Sequence, residues 1–213
     1  MVDIFDEVDE DVRRERMQAM AKRYGPILGL VVTLIIGGVA AFTFWKQYQA
    51  DARLEAGAAF IVASDAIEAD PAASAATFGD LVADGPAGYP VLASFKQAEA
   101  LTAAGDRKGA LDVLNGVEAM EAPVRYKHLA RLQALSLRSY DEDPATLLPL
   151  YEELAASGAP WRAMALEQAG MIEWSLGREV DARKRFEAIS ADISAPVALR
   201  SRADAALTAL REG

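Results

Sequence analysis

The sequence predicts an all-α protein: one transmembrane helix, then an α-solenoid of about four helical hairpins closed by a C-terminal capping helix. Three observations carry this. No charged side chain occurs from Tyr24 to Trp45. From residue 46 the chain is alanine-rich and sparse in valine and isoleucine, with no apolar alternation of the kind a half-buried strand requires. Finally, paired turn signals recur at a nearly constant interval through residues 70–182.

Residues 1–24 form a charged arm in which acids come first, seven of them between Asp3 and Glu15, followed by bases from Arg13 to Arg23. On a helix, Ile4, Phe5, Val8 and Val12 share one face, so the arm reads either as a solvated tail or as a small docking helix; runs of charge favour the tail. Residues 25–45 are long enough to cross a hydrocarbon core of about 30 Å as a helix rising 1.5 Å per residue. Lipid offers the backbone no partners, so this stretch must satisfy its amides internally. Arg13, Arg14, Arg16, Lys22 and Arg23 flank its start, and only Lys46 and Arg53 lie near its end. The excess of bases places residues 1–24 in the cytoplasm and residues 46–213 across the membrane. Gly38-Val39-Ala40 also fits a signal-peptidase site, but the long acidic arm argues for an uncleaved anchor. Gly29, Thr33, Gly37 and Ala41, with Gly25 before them, put a small residue at every fourth position, the spacing that lets membrane helices approach closely.

Residues 46–213 carry 17 basic and 25 acidic residues, a balance that excludes nucleic-acid binding by electrostatics. The chain has no cysteine, which removes disulfides, thiolate metal sites and a thiol nucleophile. Residues 47–69 are expected to continue from the anchor as the first helix of the first hairpin. Asp70-Pro71 and Asp143-Pro144 pair an N-cap acid with a proline at the first helical position. Ser194-Ala195-Pro196 opens the last helix in the same way, and Gly105-Asp106 and Gly177-Arg178 mark tight turns between helices. Gly85-Pro86 and Gly158-Ala159-Pro160 separate larger units. Ala75, Ala110, Ala145 and Ala182 follow these turns at intervals of 35, 35 and 37 residues. Alanine at a helix crossing allows close approach, and Gly170, Ala182 and Phe186 supply the small, small and bulky positions expected of a tetratricopeptide repeat, whose length is about 34 residues. Ala98, Ala110 and Leu114 match one unit earlier. The other two units match only at Ala75 and Ala145, with Gly79 and Pro149 where a bulky residue is expected. In the closing helix, Leu199, Ala203, Ala206, Leu207 and Leu210 share an apolar face that caps the stack.

Catalytic chemistry is not advertised. His128 is the only histidine, Asp141-Glu142-Asp143 lacks the turn glycine of a calcium loop, and no phosphate loop or nucleophile elbow occurs. The sequence therefore predicts no enzyme, no cofactor and no metal, but a binding surface. First helices of stacked hairpins line the concave face. Carrying the tetratricopeptide groove register over selects Leu92, Phe95, Glu99 and Thr102 in the second hairpin and Met164, Glu167, Met171 and Trp174 in the fourth. Each of these also suits packing between helices, because apolar residues at helical spacing usually face a core.

The charged arm, an anchor ending in Phe42-Thr-Phe-Trp-Lys-Gln-Tyr48 and the alanine-rich repeat domain together resemble the ancillary SecYEG translocon subunit family of Gram-negative bacteria. The resemblance spans the chain and rests on architecture. It implies an inner-membrane protein with a periplasmic domain, partnered by the Sec translocon and by a membrane-anchored periplasmic isomerase-like chaperone. The clients it implies are unfolded or exported proteins. A structural scaffold in cytochrome maturation or outer-membrane assembly is the alternative that the residues leave open.

Overall fold

A computed structural model describes the backbone of residues 4–156 and 160–212; side chains are described from Met17 onward, except at 18, 19, 21 and 27. The elements are α1 (Ile4–Asp65), α2 (Pro71–Asp84), α3 (Tyr89–Ala103), α4 (Arg107–Gly116), a 3-10 turn (Val117–Ala119), α5 (Val124–Arg138), α6 (Pro144–Ala156), α7 (Arg162–Ser175), α8 (Glu179–Ser190) and α9 (Val197–Glu212). No strand occurs among the described residues. The chain divides into two compact units, Met1–Glu55 and Ala56–Gly213.

In the first unit α1 carries the apolar stretch, and the described side chains of residues 22–50 are exposed. The helix is long and apolar enough to cross a membrane. Its hydroxyls are turned onto their own backbone: Thr33 donates to the Gly29 carbonyl at 2.9 Å and Thr43 to that of Val39 at 2.8 Å. That bond satisfies a hydroxyl where water is absent. A β-carbon built at Gly25, Gly29 or Gly37 would meet nothing within 4 Å, so the small-residue stripe is unpacked in the single chain. The face of Ile4, Phe5, Val8 and Val12 lies outside the described side chains, as Gly158 and Ala159 lie outside the described residues.

The second unit is a run of hairpins. The turns after α3 and α7 are the same construction 72 residues apart. Gly105 (φ +84°) and Gly177 (φ +73°) take the left-handed conformation that a side chain would strain. The amides of Asp106 and Arg178 reach back to the carbonyls of Leu101 and Glu173, both at 2.8 Å. Those of Gly105 and Gly177 reach Thr102 and Trp174, both at 3.0 Å, closing a Schellman-type cap. Asp70 and Asp106 cap α2 and α4 by accepting from the amides of Ala73 and Gly109.

Packing follows the register at both ends. Ala98, Ala110 and Leu114 are buried in one cluster, and Ala169, Ala182 and Phe186 in another. A β-carbon at Gly170 would stand 3.0 Å from Phe186 Cζ, so glycine is what lets α7 and α8 close on each other. Ala56 and Ala63 of α1, with Ile67 just beyond its end, join Ala75, Phe78 and Leu81 of α2 in a third cluster. Two positions depart from expectation. Ala145 is exposed, and α6 buries Leu147, Leu148 and Tyr151 instead, because its helix begins at Pro144 and turns larger residues inward. In α2 the bulky core residue is Phe78, one position before Gly79. A third correction concerns α9. It starts at Val197, and the Ser194 hydroxyl donates to Asp192 rather than capping the helix.

One ion-pair network ties three helices. Arg185 of α8 pairs with Glu152 of α6 and with Glu173 of α7, the latter at 3.1 Å. Glu173 is 3% exposed, so its carboxylate depends on this guanidinium. The Glu173 hydrogen bond in turn raises the Arg185 pKa.

Two stability predictions result. Ala182→Leu should cost about 1–3 kcal/mol by overpacking the α7–α8 crossing, read as a lower midpoint in thermal or urea unfolding; an unchanged midpoint would contradict the crossing. Arg185→Met should cost about 2–4 kcal/mol by leaving Glu173 buried without a partner, and adding Glu173→Gln should recover part of that loss.

Candidate functional site

The described residues of the second unit leave one large apolar cleft on the first helices of three successive hairpins. Phe60 of α1, Leu92, Phe95, Ala98, Glu99 and Thr102 of α3, and Gln133, Ser136 and Leu137 of α5 line it, with Leu114 of α4 at its base. Its volume is about 730 Å³. Helical spacing explains the α3 wall: residues 92, 95, 99 and 102 fall on one stripe with Ala98 at its buried edge, while Ala93 and Ala100 bury the other side. Leu92 is 46% exposed, which no packing requirement explains.

The polar groups of the cleft are sparse. Lys96 and Glu99 neutralise each other at 2.8 Å. The Thr102 hydroxyl donates to the Ala98 carbonyl at 2.7 Å and so lies against its own helix. The Gln133 amide and the Ser136 hydroxyl make no hydrogen bond among the described residues.

A second cleft of about 630 Å³ borders the first. Val82, Gly88, Pro90, Val91, Met120, Pro123 and Tyr126 line it, and Leu92 belongs to both. The Phe95 and Tyr126 rings, with centroids 6.4 Å apart, stand where the two meet.

The four residues selected on α7 take a different place and line neither cleft. Glu167 is held in a two-pronged ion pair by Arg202 of α9, at 2.6 and 2.8 Å. Trp174 packs against the core that α6–α9 share, while Met164 and Met171 stay exposed. The capping helix thus ties down part of the α7 stripe. Gly29, Thr33, Gly37 and Ala41 lie exposed along α1 in the first unit.

The remaining polar clusters are internally satisfied. Lys127, Arg131 and Arg138 line a smaller cleft with Glu118. Lys127 donates to the Glu118 carbonyl at 2.6 Å, Arg131 grips Glu153, and Arg138 grips Glu142. Those guanidinium bonds hold both carboxyls below their usual range. No group of three or more His, Asp or Glu side chains gathers at metal-binding range among the described residues. His128 is half-buried on α5, its Nδ1 without a partner. What this arrangement offers is apolar surface with a few hydrogen-bonding groups.

Sequence reasoning missed Phe60, Gln133, Ser136 and Leu137, and all of the second cleft but Leu92. The α5 residues sit at i, i+3 and i+4, a helical stripe that the irregular third hairpin hid.

A family model described as "Tetratricopeptide repeat-like domain" matches residues 19–210. Two crystal structures of a Podosopora anserina putative kinesin light chain with nearly identical TPR-like repeats, one carrying the substitution Q17M, resemble the fold at a TM-score of 0.54 and 13% identity. Each comparison covers 76% of this chain and 86% of that one. No curated protein matches the chain.

Two residues separate cleft from core. Leu92→Ser should leave unfolding within about 0.5 kcal/mol of the parent, as exposed positions do. Trp174→Ala should cost about 2–3 kcal/mol, below the range for a fully buried aromatic. Equal losses at both sites would place Leu92 in the packing.

Proposed function

The chain belongs to the tetratricopeptide repeat-like domain family, and we propose on that premise that it is a membrane-anchored, periplasmic adaptor or chaperone that works beside the Sec translocon. The observation that carries the adaptor reading is the α3–α5 cleft: a solvent-open, mainly apolar surface on successive first helices, with sparse polar groups in it. A repeat domain of this type recognises by surface, and its binding energy comes from apolar burial sharpened by a few polar contacts.

The finer reading draws on the sequence. The apolar length of α1 and the bases before it favour a single-pass anchor that carries residues 46–213 across the inner membrane. The Sec translocon, a membrane-anchored periplasmic isomerase-like chaperone and exported clients enter through the resemblance of the whole layout to the ancillary translocon subunits. Such a cleft suits clients that are still unfolded, since these expose apolar segments that folded proteins hide. The unpacked stripe of Gly29, Thr33, Gly37 and Ala41 is the part of the anchor best shaped for a helix of the translocon.

Photocrosslinking from the intact membrane tests this. A benzophenone side chain at Phe95 should capture exported proteins in transit, and one at Thr33 should capture a translocon subunit, each identified by mass. Capture of cytochrome-maturation or outer-membrane assembly components at both positions would replace the translocon reading with the scaffold one.

A further inference from the structure

We propose that one edge of the second unit, formed by the loops between its hairpins, rests on the lipid surface, with Val124, Ile193 and Val197 dipping into the interface. The inference rests on reading α1 as a membrane anchor, and adds a second lipid contact made by the repeat domain itself. Four observations place these loops side by side. Gly88 and Pro90 at the start of α3 share a cleft with Met120 and Pro123 at the start of α5. The Trp161 indole, just before α7, donates to the Arg125 carbonyl of α5 at 2.7 Å. Arg162 at the start of α7 pairs with Asp192, in the loop before α9, at 3.6 Å. A β-carbon at Gly57, where the chain has just entered the unit, would stand 3.0 Å from the Tyr89 hydroxyl at the start of α3. The first turns of α3, α5, α7 and α9 therefore line one edge, and the chain enters the unit at that same edge.

The tether to the anchor is short. Ten residues, 46–55, separate the apolar stretch from Ala56. Even fully extended they reach only about 35 Å, so lipid stays within range of the point of entry. Charge then distinguishes this edge from the other. The loops within hairpins, residues 66–70, 104–106, 139–143 and 176–178, carry six acids, Glu68, Asp70, Asp106, Asp141, Glu142 and Asp143, against the single base Arg178. The loops between hairpins, residues 85–88, 120–123, 157–161 and 191–196, carry only Glu121 and Asp192, with Arg125 and Arg162 next to them. Ile193 is 90% exposed there, Val197 69% and Val124 63%. Branched apolar side chains gathered in the open mark a surface that meets something apolar. Tyr140, Leu176 and Val180 are exposed on the other edge, but the acids around them resist dehydration. Each loop between hairpins also holds a proline, at 86, 123, 160 and 196. Proline brings no backbone N–H, so it adds no donor that lipid would leave unsatisfied, and its fixed φ stiffens the loop.

The test uses the full chain in phosphatidylcholine nanodiscs. The chain has no native cysteine, so an environment-sensitive NBD label can be placed at Ile193→Cys, Val197→Cys, Tyr140→Cys or Phe42→Cys alone. Interfacial side chains sit about 5–10 Å into the headgroup region, within reach of a nitroxide on the fifth acyl carbon. Nitroxide lipid should quench the label about twofold or more at Ile193→Cys, Val197→Cys and Phe42→Cys, and leave Tyr140→Cys unchanged. Adding Val124→Glu and Ile193→Glu should remove most of the quenching at Val197→Cys, with thermal unfolding unchanged. Quenching at Phe42→Cys alone would overturn the proposal and keep the anchor. Silence at Phe42→Cys would overturn the anchor reading and the proposal with it. Equal quenching at Tyr140→Cys and Ile193→Cys would show that neither edge is preferred, which also overturns it. A dry NBD spectrum at Ile193→Cys without nitroxide quenching would make a protein surface the occupant and sink the lipid contact.

Discussion

Two helices of a hairpin approach closely only where one of them has almost no side chain to give, and the second unit is organised by that constraint. At Gly170 the ring of Phe186 fills the space a β-carbon would need. Ala98, Ala110 and Ala182 are each buried at comparable positions. Once a pair has closed, its neighbours must stack on the faces left over, and successive clusters of buried residues follow along the chain, with Leu101 packed against two of them. Stability in such an array is the sum of local pairings rather than one central core.

The same constraint produces the cleft. Small residues use up one side of α3, at Ala93 and Ala100. The other side then stands clear of its partners, and it is there that Leu92 and Phe95 remain accessible to a ligand. At the far end of the array the corresponding stripe is partly closed, since Arg202 of α9 holds Glu167 and the core takes Trp174. Polar costs are met locally, most visibly where Arg185 serves a nearly buried Glu173. Exceptions among the described residues are the Ser74 hydroxyl, His128 Nδ1, Arg200 Nε and the Tyr151 hydroxyl, each buried without a partner, and burial pushes the Tyr151 pKa up to about 12.

What could be read from the sequence was what depends on short-range chemistry. Gly105 and Gly177 announced their turns because only glycine takes that conformation without strain, and the repeat length followed from them. Asp70 and Asp106 sat where caps are needed. Ala145 misled because alanine is abundant in this chain and carries no information about which face it occupies. Half of the cleft was visible, at Leu92, Phe95, Glu99 and Thr102, because the second hairpin keeps the repeat pattern. Gln133 and Ser136 were hidden because the third hairpin does not. The engagement of Glu167 depends on a residue 35 positions away and on how α9 docks, which no local pattern encodes.

The central claim is that an apolar anchor delivers an open apolar cleft to the far side of a membrane. The absence of native cysteine allows a direct measurement. A single Leu92→Cys substitution in the full chain can be exposed to a membrane-impermeant maleimide in spheroplasts, before and after lysis. The account predicts full labelling of intact spheroplasts, diminished when an excess of an unfolded exported protein is added. Labelling only after lysis would contradict it.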